Sequence, residues 1–183
     1  MRSYKLPGNR LRLLHPNENR GAVTIDEERD YHFRYVLEDN FGNRRTYQFI
    51  VKGKRQDIPE YKPEANEMLY WNRTNVIQKP GMELVVPRYY VYEDVPLRTD
   101  MRGDSSHIAF DYILDAGRTP IHSYCDLSIG LRHMPVADTT KYYIVQKAGK
   151  WRSSMGGKYA NGWIKTRVRS LGTFSVDVDT IVP

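Results

Sequence analysis

The sequence predicts an all-β fold, and three observations support this prediction. Short segments in which apolar and polar residues alternate recur along the chain, with Gly, Pro and Asn between them. Fourteen tyrosines among 183 residues, together with many Val, Ile and Thr, favour strands. No long segment has clean helical periodicity. We therefore predict two immunoglobulin-like or β-sandwich modules, of which the N-terminal one either is incomplete or takes strands from sequence upstream.

Residues 1–54 are predicted to form the first, immunoglobulin-like module. Its clearest feature is a hairpin in which Asp39 to Asn43 form the turn, with Gly42 or Asn43 at positive φ. Two brief apolar runs, Leu11–Leu14 and Ala22–Ile25, are further strand candidates. An immunoglobulin-like sandwich needs about seven strands, and this region provides fewer. Residues 55–66, polar with two prolines, are predicted to be a linker.

Residues 67–183 are predicted to form the second module, a β-sandwich. Its last two strands are the clearest, because Asn161-Gly162 supplies a tight turn before them and each alternates strictly. The strands predicted in this module are Met68–Trp71, Asn75–Ile77, Met82–Val86, Val95–Arg98, His107–Leu114, Cys125–Leu131, Lys141–Gln146, Lys150–Ser154, Trp163–Val168 and Thr173–Val178.

The formal net charge is +6, from 28 Lys and Arg against 22 Asp and Glu. The positive residues are scattered over outward positions of strands and form no basic helix or dense arm, which favours a solvated surface. We predict no nucleic-acid partner and no membrane span in this chain. If the surface does bind something acidic, peptidoglycan or an envelope polysaccharide is as good a candidate as nucleic acid. The single cysteine, Cys125, excludes an intrachain disulfide and, in its apolar alternating run, is predicted to be a buried hydrophobe.

Four motifs near the C-terminus resemble the accessory β-sandwich module of lysostaphin-like zinc endopeptidases from Gram-negative envelopes. They are Gly156-Gly157, Gly162-Trp163, the segment 169–172 and the closing segment 178–183. The resemblance covers about 75–183. It implies a non-catalytic accessory or spacer region of an exported cell-wall peptidase, located in the periplasm or at the outer membrane. Its partner would be a catalytic domain of the parent protein, outside this chain.

One segment resembles part of the catalytic domain of the same peptidases. His107 and Asp111 match its His-x-x-x-Asp zinc ligands, and a Thr-Pro turn follows at Thr119. The family's later His-x-His pair is missing, since only His122 and His133 follow. A zinc site needs a third protein ligand and an open position. We therefore predict no catalytic residue, no metal site and no cofactor, and regard an active zinc hydrolase as the disfavoured alternative.

Four residues are candidates for binding a ligand through stacking and positive charge: Trp151, Tyr159, Trp163 and Arg167. The interpretation we favour is structural, with both tryptophans closing the end of the sandwich core. The alternative function for the whole chain is a stand-alone carbohydrate- or protein-binding module of the cell envelope. Two short motifs, Arg102-Gly-Asp104 and the sequon at Asn72, are interpreted as turn sequences that match by chance.

Overall fold

The computed structural model describes residues 5–8, 18–19, 21–57, 64–117 and 119–180. The chain divides into two compact units, one of Met1–Lys5 with Arg12–Lys62 and one of Leu6–Leu11 with Pro63–Pro183. Thirteen strands and one 3-10 turn, Thr139–Lys141, are the regular elements of the described residues, so the all-β prediction is confirmed. The predicted module boundaries stay predictions, and residues 58–63 of the predicted linker lie outside the described ranges.

In the first unit, β1 (Asp30–Glu38) and β2 (Arg44–Lys52) form an antiparallel hairpin. The Asp39 carboxylate accepts hydrogen bonds from the backbone amides of Phe41 and Asn43, at 2.8 and 2.9 Å. Gly42 has φ +81°, which confirms the turn prediction at that residue. Hydrogen bonds from the Asn43 side chain and backbone lower the pKa of Asp39.

An aromatic row lies along the hairpin, in which Phe33 stacks on Phe49 with ring centroids 5.0 Å apart. The predicted strand Ala22–Ile25 is wrong: this segment has no regular structure, and Val23 and Ile25 are exposed. No described strand pairs with it, and an apolar run without a ladder partner does not become a strand. The predicted strand Leu11–Leu14 lies outside the described residues.

The second unit contains two antiparallel sheets. The six-stranded sheet has the order β10-β9-β13-β7-β6-β3, and the five-stranded sheet has the order β11-β12-β8-β5-β4. Their strands are β3 (Glu67–Leu69), β4 (Asn75–Lys79), β5 (Met82–Val86), β6 (Val95–Arg102), β7 (Asp111–Asp115), β8 (Cys125–Gly130), β9 (Tyr142–Ala148), β10 (Trp151–Gly156), β11 (Lys158–Ala160), β12 (Trp163–Val168) and β13 (Gly172–Val178).

The core of this unit is built from the alternate residues of both sheets, as expected for a sandwich. Leu127 and Ile129 of β8, on the five-stranded sheet, are fully buried, as is Phe174 of β13 on the six-stranded sheet. Cys125 is fully buried in the same cluster, which confirms the burial predicted for it. Burial raises the pKa of its thiol to about 11.

Most predicted strands have bounds that differ by a few residues from those of the structure, and two differences are larger. The strand predicted over His107–Leu114 begins only at Asp111. The preceding residues are held away from the ladder, because the Ile108 carbonyl accepts a hydrogen bond from the Arg132 amide at 2.8 Å and the Phe110 carbonyl accepts one from Ser175 Oγ at 3.2 Å. Strand β11 was not predicted, since three residues are too few to show a period.

Candidate functional site

The outer face of the six-stranded sheet is polar, and its cations are matched with carboxylates. Lys147 Nζ lies 2.6 Å from Asp111 Oδ1, and Arg152 lies 3.1 Å from Asp177. The remaining pairs on this face are Arg98 with Asp115 and Arg102 with Asp100, each at 3.4 Å. Four cations are therefore neutralised locally.

The outer face of the five-stranded sheet carries exposed cations without such partners. In the β11–β12 ladder Lys158 lies directly opposite Lys165, and Arg167 lies on the same face of β12, two residues further on. In the described part of the chain, none of these three residues makes an ion pair within 4.0 Å. The Arg167 guanidinium instead lies 5.8 Å from the ring centroid of Tyr124.

Electrostatics make this arrangement unfavourable for the isolated fold. Like charges that face each other across an antiparallel pair are destabilising. Asp126 lies opposite Arg167 in the β12–β8 ladder, yet it leaves the Lys158–Lys165 pair unmatched. An anion bound over these strands would offset that repulsion, so we take Lys158, Lys165 and Arg167 as the basic face.

The four predicted ligand-binding residues are divided between the two sheets. Trp163 and Arg167 share the outer face of β12. Tyr159 lies opposite the buried Ile164 and so belongs to the other face of the same sheet. Trp151 lies on β10 of the six-stranded sheet and is 81% exposed. The structure therefore brings Trp163 and Arg167 together with Lys165, and it places Trp151 and Tyr159 elsewhere.

The favoured structural interpretation, in which both tryptophans close the core, is wrong for Trp151 because that side chain is almost fully exposed. Trp163 is half-buried over Gly130, where a Cβ would meet indole atoms Cδ2 and Cε2 at 3.6 Å. The ligand-binding role of these residues stays a prediction.

The opposition of Lys158 and Lys165 was missed by the sequence reasoning, although a signal for it exists. Asn161 and Gly162 both have positive φ, 51° and 84°, as a two-residue hairpin turn requires. Counting outward from such a turn pairs residue 160 with 163 and residue 158 with 165. The fixed register was thus sufficient to locate the like-charge pair.

The residues that resemble zinc ligands are engaged separately. His107 Nδ1 lies 2.9 Å from Asp104 Oδ1, and Asp111 is bound by Lys147. Within the described ranges, no group of three or more His, Cys, Asp or Glu side chains is placed to hold a metal ion. Arg102 is the last residue of β6, and Asp104 precedes the turn at residues 105–106, where its carboxylate accepts hydrogen bonds from the amide and hydroxyl of Ser106.

The fold and the basic face define a β-sandwich domain with a charged outer sheet surface. The model of the Zu5-like domain matches residues 66–179, and the chain belongs to the Zu5-like domain family. Neither the curated proteins nor the solved structures give a significant match to this chain. None of the helical structure in the described ranges is long and apolar enough to cross a membrane.

Proposed function

We propose that this chain is a non-catalytic accessory region that positions a catalytic domain lying outside it, by holding an anionic cell-wall polymer on the basic face. The observation that supports the proposal is the contrast between the two sheets. Four cations on the six-stranded sheet are paired with carboxylates, whereas Lys158, Lys165 and Arg167 on the five-stranded sheet are not.

The ligand class follows from the shape and charge of the face. A β-sheet surface is broad and shallow, and it suits an extended polymer better than a small enclosed molecule. Consecutive outward residues of a strand are about 6.6–7 Å apart, so Lys165 and Arg167 can contact successive anionic groups of one chain. Peptidoglycan and acidic envelope polysaccharides carry such groups along extended chains.

The peptidase context is part of the same proposal and rests on the resemblance at Gly156-Gly157, Gly162-Trp163 and the segments 169–172 and 178–183. In that context the protein would act in the cell envelope. A second candidate is a stand-alone binding module for carbohydrate or protein, which the basic face supports equally because the face is formed wholly within residues 66–179. A peptidase domain in the complete reading frame would distinguish the accessory role from the stand-alone one.

The test is co-sedimentation with purified peptidoglycan at low and at moderate salt. We expect pelleting at low salt that falls as salt shortens the Debye length, and a several-fold loss in the double variant Lys165→Gln/Arg167→Gln. The matched control is Arg98→Gln/Arg152→Gln, which removes the same charge from the other sheet and should pellet like the parent protein. Equal loss in both variants, or no pelleting at either salt, would contradict the proposal.

The zinc alternative has its own test. Metal analysis of the dialysed protein should show no stoichiometric zinc. Zinc retained at one equivalent, and lost on His107→Ala, would overturn the non-catalytic assignment.

A further inference from the structure

Beside the basic face, at the end of the sandwich, a cleft of about 470 Å³ opens between strand ends and turns. Three aromatic residues, Phe110, Tyr112 and Trp163, line it. Trp163 also belongs to the outer face of β12, so the cleft adjoins the basic face at that residue. Its volume lies in the range of small-molecule sites in proteins.

Backbone hydrogen bonds fix the walls of this cleft. The Gly130 amide donates to the Gly81 carbonyl at 2.9 Å, and the Leu131 amide donates to the Gly162 carbonyl at 2.8 Å. Tyr112 Oη donates to the Pro80 carbonyl at 2.7 Å. These hydrogen bonds hold the turns that line the cleft against one another. Binding a ligand would therefore cost little conformational entropy in these turns.

Glycine is required at one position of this wall. Gly81 has φ +75°, and a Cβ there would lie 2.6 Å from Tyr112 Oη. The Tyr112 hydroxyl occupies the space beside Gly81, and the Trp163 indole packs over Gly130, where a Cβ would meet it at 3.6 Å. The two glycines therefore let these aromatic side chains lie close to the backbone of the cleft wall.

Arg132 is the only charged residue among the described residues that line the cleft. Its guanidinium carbon lies 4.1 Å from the ring centroid of Phe110, and one guanidinium nitrogen donates to the Asp104 carbonyl oxygen. In the described ranges no carboxylate pairs with it. Burial raises the pKa of Tyr112 to about 12, and the positive charge of Arg132 offsets part of that rise. The cleft is therefore apolar and aromatic, with one positive charge at its mouth.

We propose that this cleft binds a single sugar ring that carries a carboxylate, with the ring against Trp163 and Phe110 and the carboxylate on Arg132. The apolar CH faces of sugars pack on aromatic rings, and a guanidinium binds a carboxylate through two parallel hydrogen bonds. This inference rests on the proposed function in taking an acidic polysaccharide as the ligand. It adds a specific contact to one ring, where the basic face supplies a general attraction to the chain.

The test is NMR titration of the whole chain with trigalacturonate, its methyl ester and triglutamate. We expect shifts at Phe110, Arg132 and Trp163 with trigalacturonate, and affinity at least about tenfold lower for the neutral ester, as expected for loss of one charge-assisted contact. Arg132→Gln should lower the affinity for trigalacturonate to that of the ester, and Arg132→Lys should restore part of it. Equal binding of triglutamate, or an unchanged affinity in Arg132→Gln, would overturn the inference.

The same variants separate this inference from the proposed function. Arg132→Gln should still pellet with peptidoglycan at low salt, because the basic face is intact. Lys165→Gln/Arg167→Gln should still bind trigalacturonate in the cleft. Pelleting without trigalacturonate binding in the parent protein would leave the proposed function standing and remove the cleft site.

Discussion

Lys158 and Lys165 occupy directly opposed positions on neighbouring antiparallel strands, on one face of the five-stranded sheet. Elsewhere in the same domain, cations that share a sheet face lie beside carboxylates. A local conflict of this kind is often found at a functional surface. An anion lying over both strands would offset this repulsion.

The opposed lysines predict that one substitution will stabilise the fold and weaken binding. In Lys165→Glu, repulsion across the ladder becomes attraction, so the melting temperature should rise slightly. Pelleting with peptidoglycan should fall, because the basic face loses two units of charge. Thermal unfolding and co-sedimentation of the same preparation check both effects. A lower melting temperature with unchanged pelleting would contradict the role assigned to this pair.

Gly157 is predicted to be the glycine at the β10–β11 connection that tolerates substitution least. It has φ +149°, and a Cβ there would lie 2.5 Å from Ile164 Cγ2, whose side chain is fully buried. Gly157→Ala should lower the free energy of unfolding by at least about 2 kcal/mol. The matched control is Gly149→Ala, at φ +59° with nothing within 4 Å of the added Cβ, which should cost about 1 kcal/mol. Urea unfolding measures both, and equal losses would refute the steric explanation.

The Asp104 carboxylate, in the segment before β7, should make the stability of the fold sensitive to acid. Hydrogen bonds from the Ser106 hydroxyl and amide, and then from His107, lower its pKa to about 2. Because the pKa of Asp104 is lower in the folded state than in the unfolded state, its ionised carboxylate stabilises the fold fully at pH values above the ordinary pKa of an aspartate. This stabilisation is lost as the pH falls from about 4 to about 2. Carboxyl-carbon NMR should place the Asp104 midpoint near the lower value.

The variant Ser106→Ala tests the cause of that shift. It removes the hydroxyl donor, which makes the largest contribution to the lowered pKa of Asp104. The Asp104 midpoint should therefore move to higher pH, and an unchanged midpoint would show that the hydroxyl bond does not control it.

The hydroxyl group of Tyr112 should contribute measurably to the free energy of unfolding. Its hydroxyl donates to the Pro80 carbonyl at 2.7 Å from a buried ring. Tyr112→Phe should lower the free energy of unfolding by about 1 kcal/mol. Tyr124→Phe is the control, because that side chain is 54% exposed. A similar, near-zero change in both variants would show that the Pro80 contact contributes nothing.

Much of the second unit could be predicted from the sequence, because its signals are local. Met82–Val86 was predicted with the bounds of β5, and the Asn161-Gly162 turn led to β12 as predicted. Alternation identified Phe174 and Val176 as residues of one face, and both are buried. Apolar and polar residues alternate along these strands because each strand has one face in the core.

The features that depend on strand order could not be predicted in this way. Lys147 binds Asp111, a residue 36 positions away, because β9 and β7 both flank β13. Trp151 and Trp163 are close in sequence, yet their strands belong to different sheets. The candidate site depends on these long-range relationships. Only when the neighbouring strands are known can one see that cations are paired with carboxylates on the six-stranded sheet and that the basic face lacks such pairs.

Lysine footprinting by acetylation, with and without peptidoglycan, tests the basic face most directly. Lys158 and Lys165 should become several-fold less reactive when the polymer is bound. Lys147, paired with Asp111 on the other sheet, should keep its reactivity. Protection of Lys158 and Lys165 alone would place the polymer on the five-stranded sheet. Protection of Lys147 to the same degree, or of none of the three, would contradict that placement.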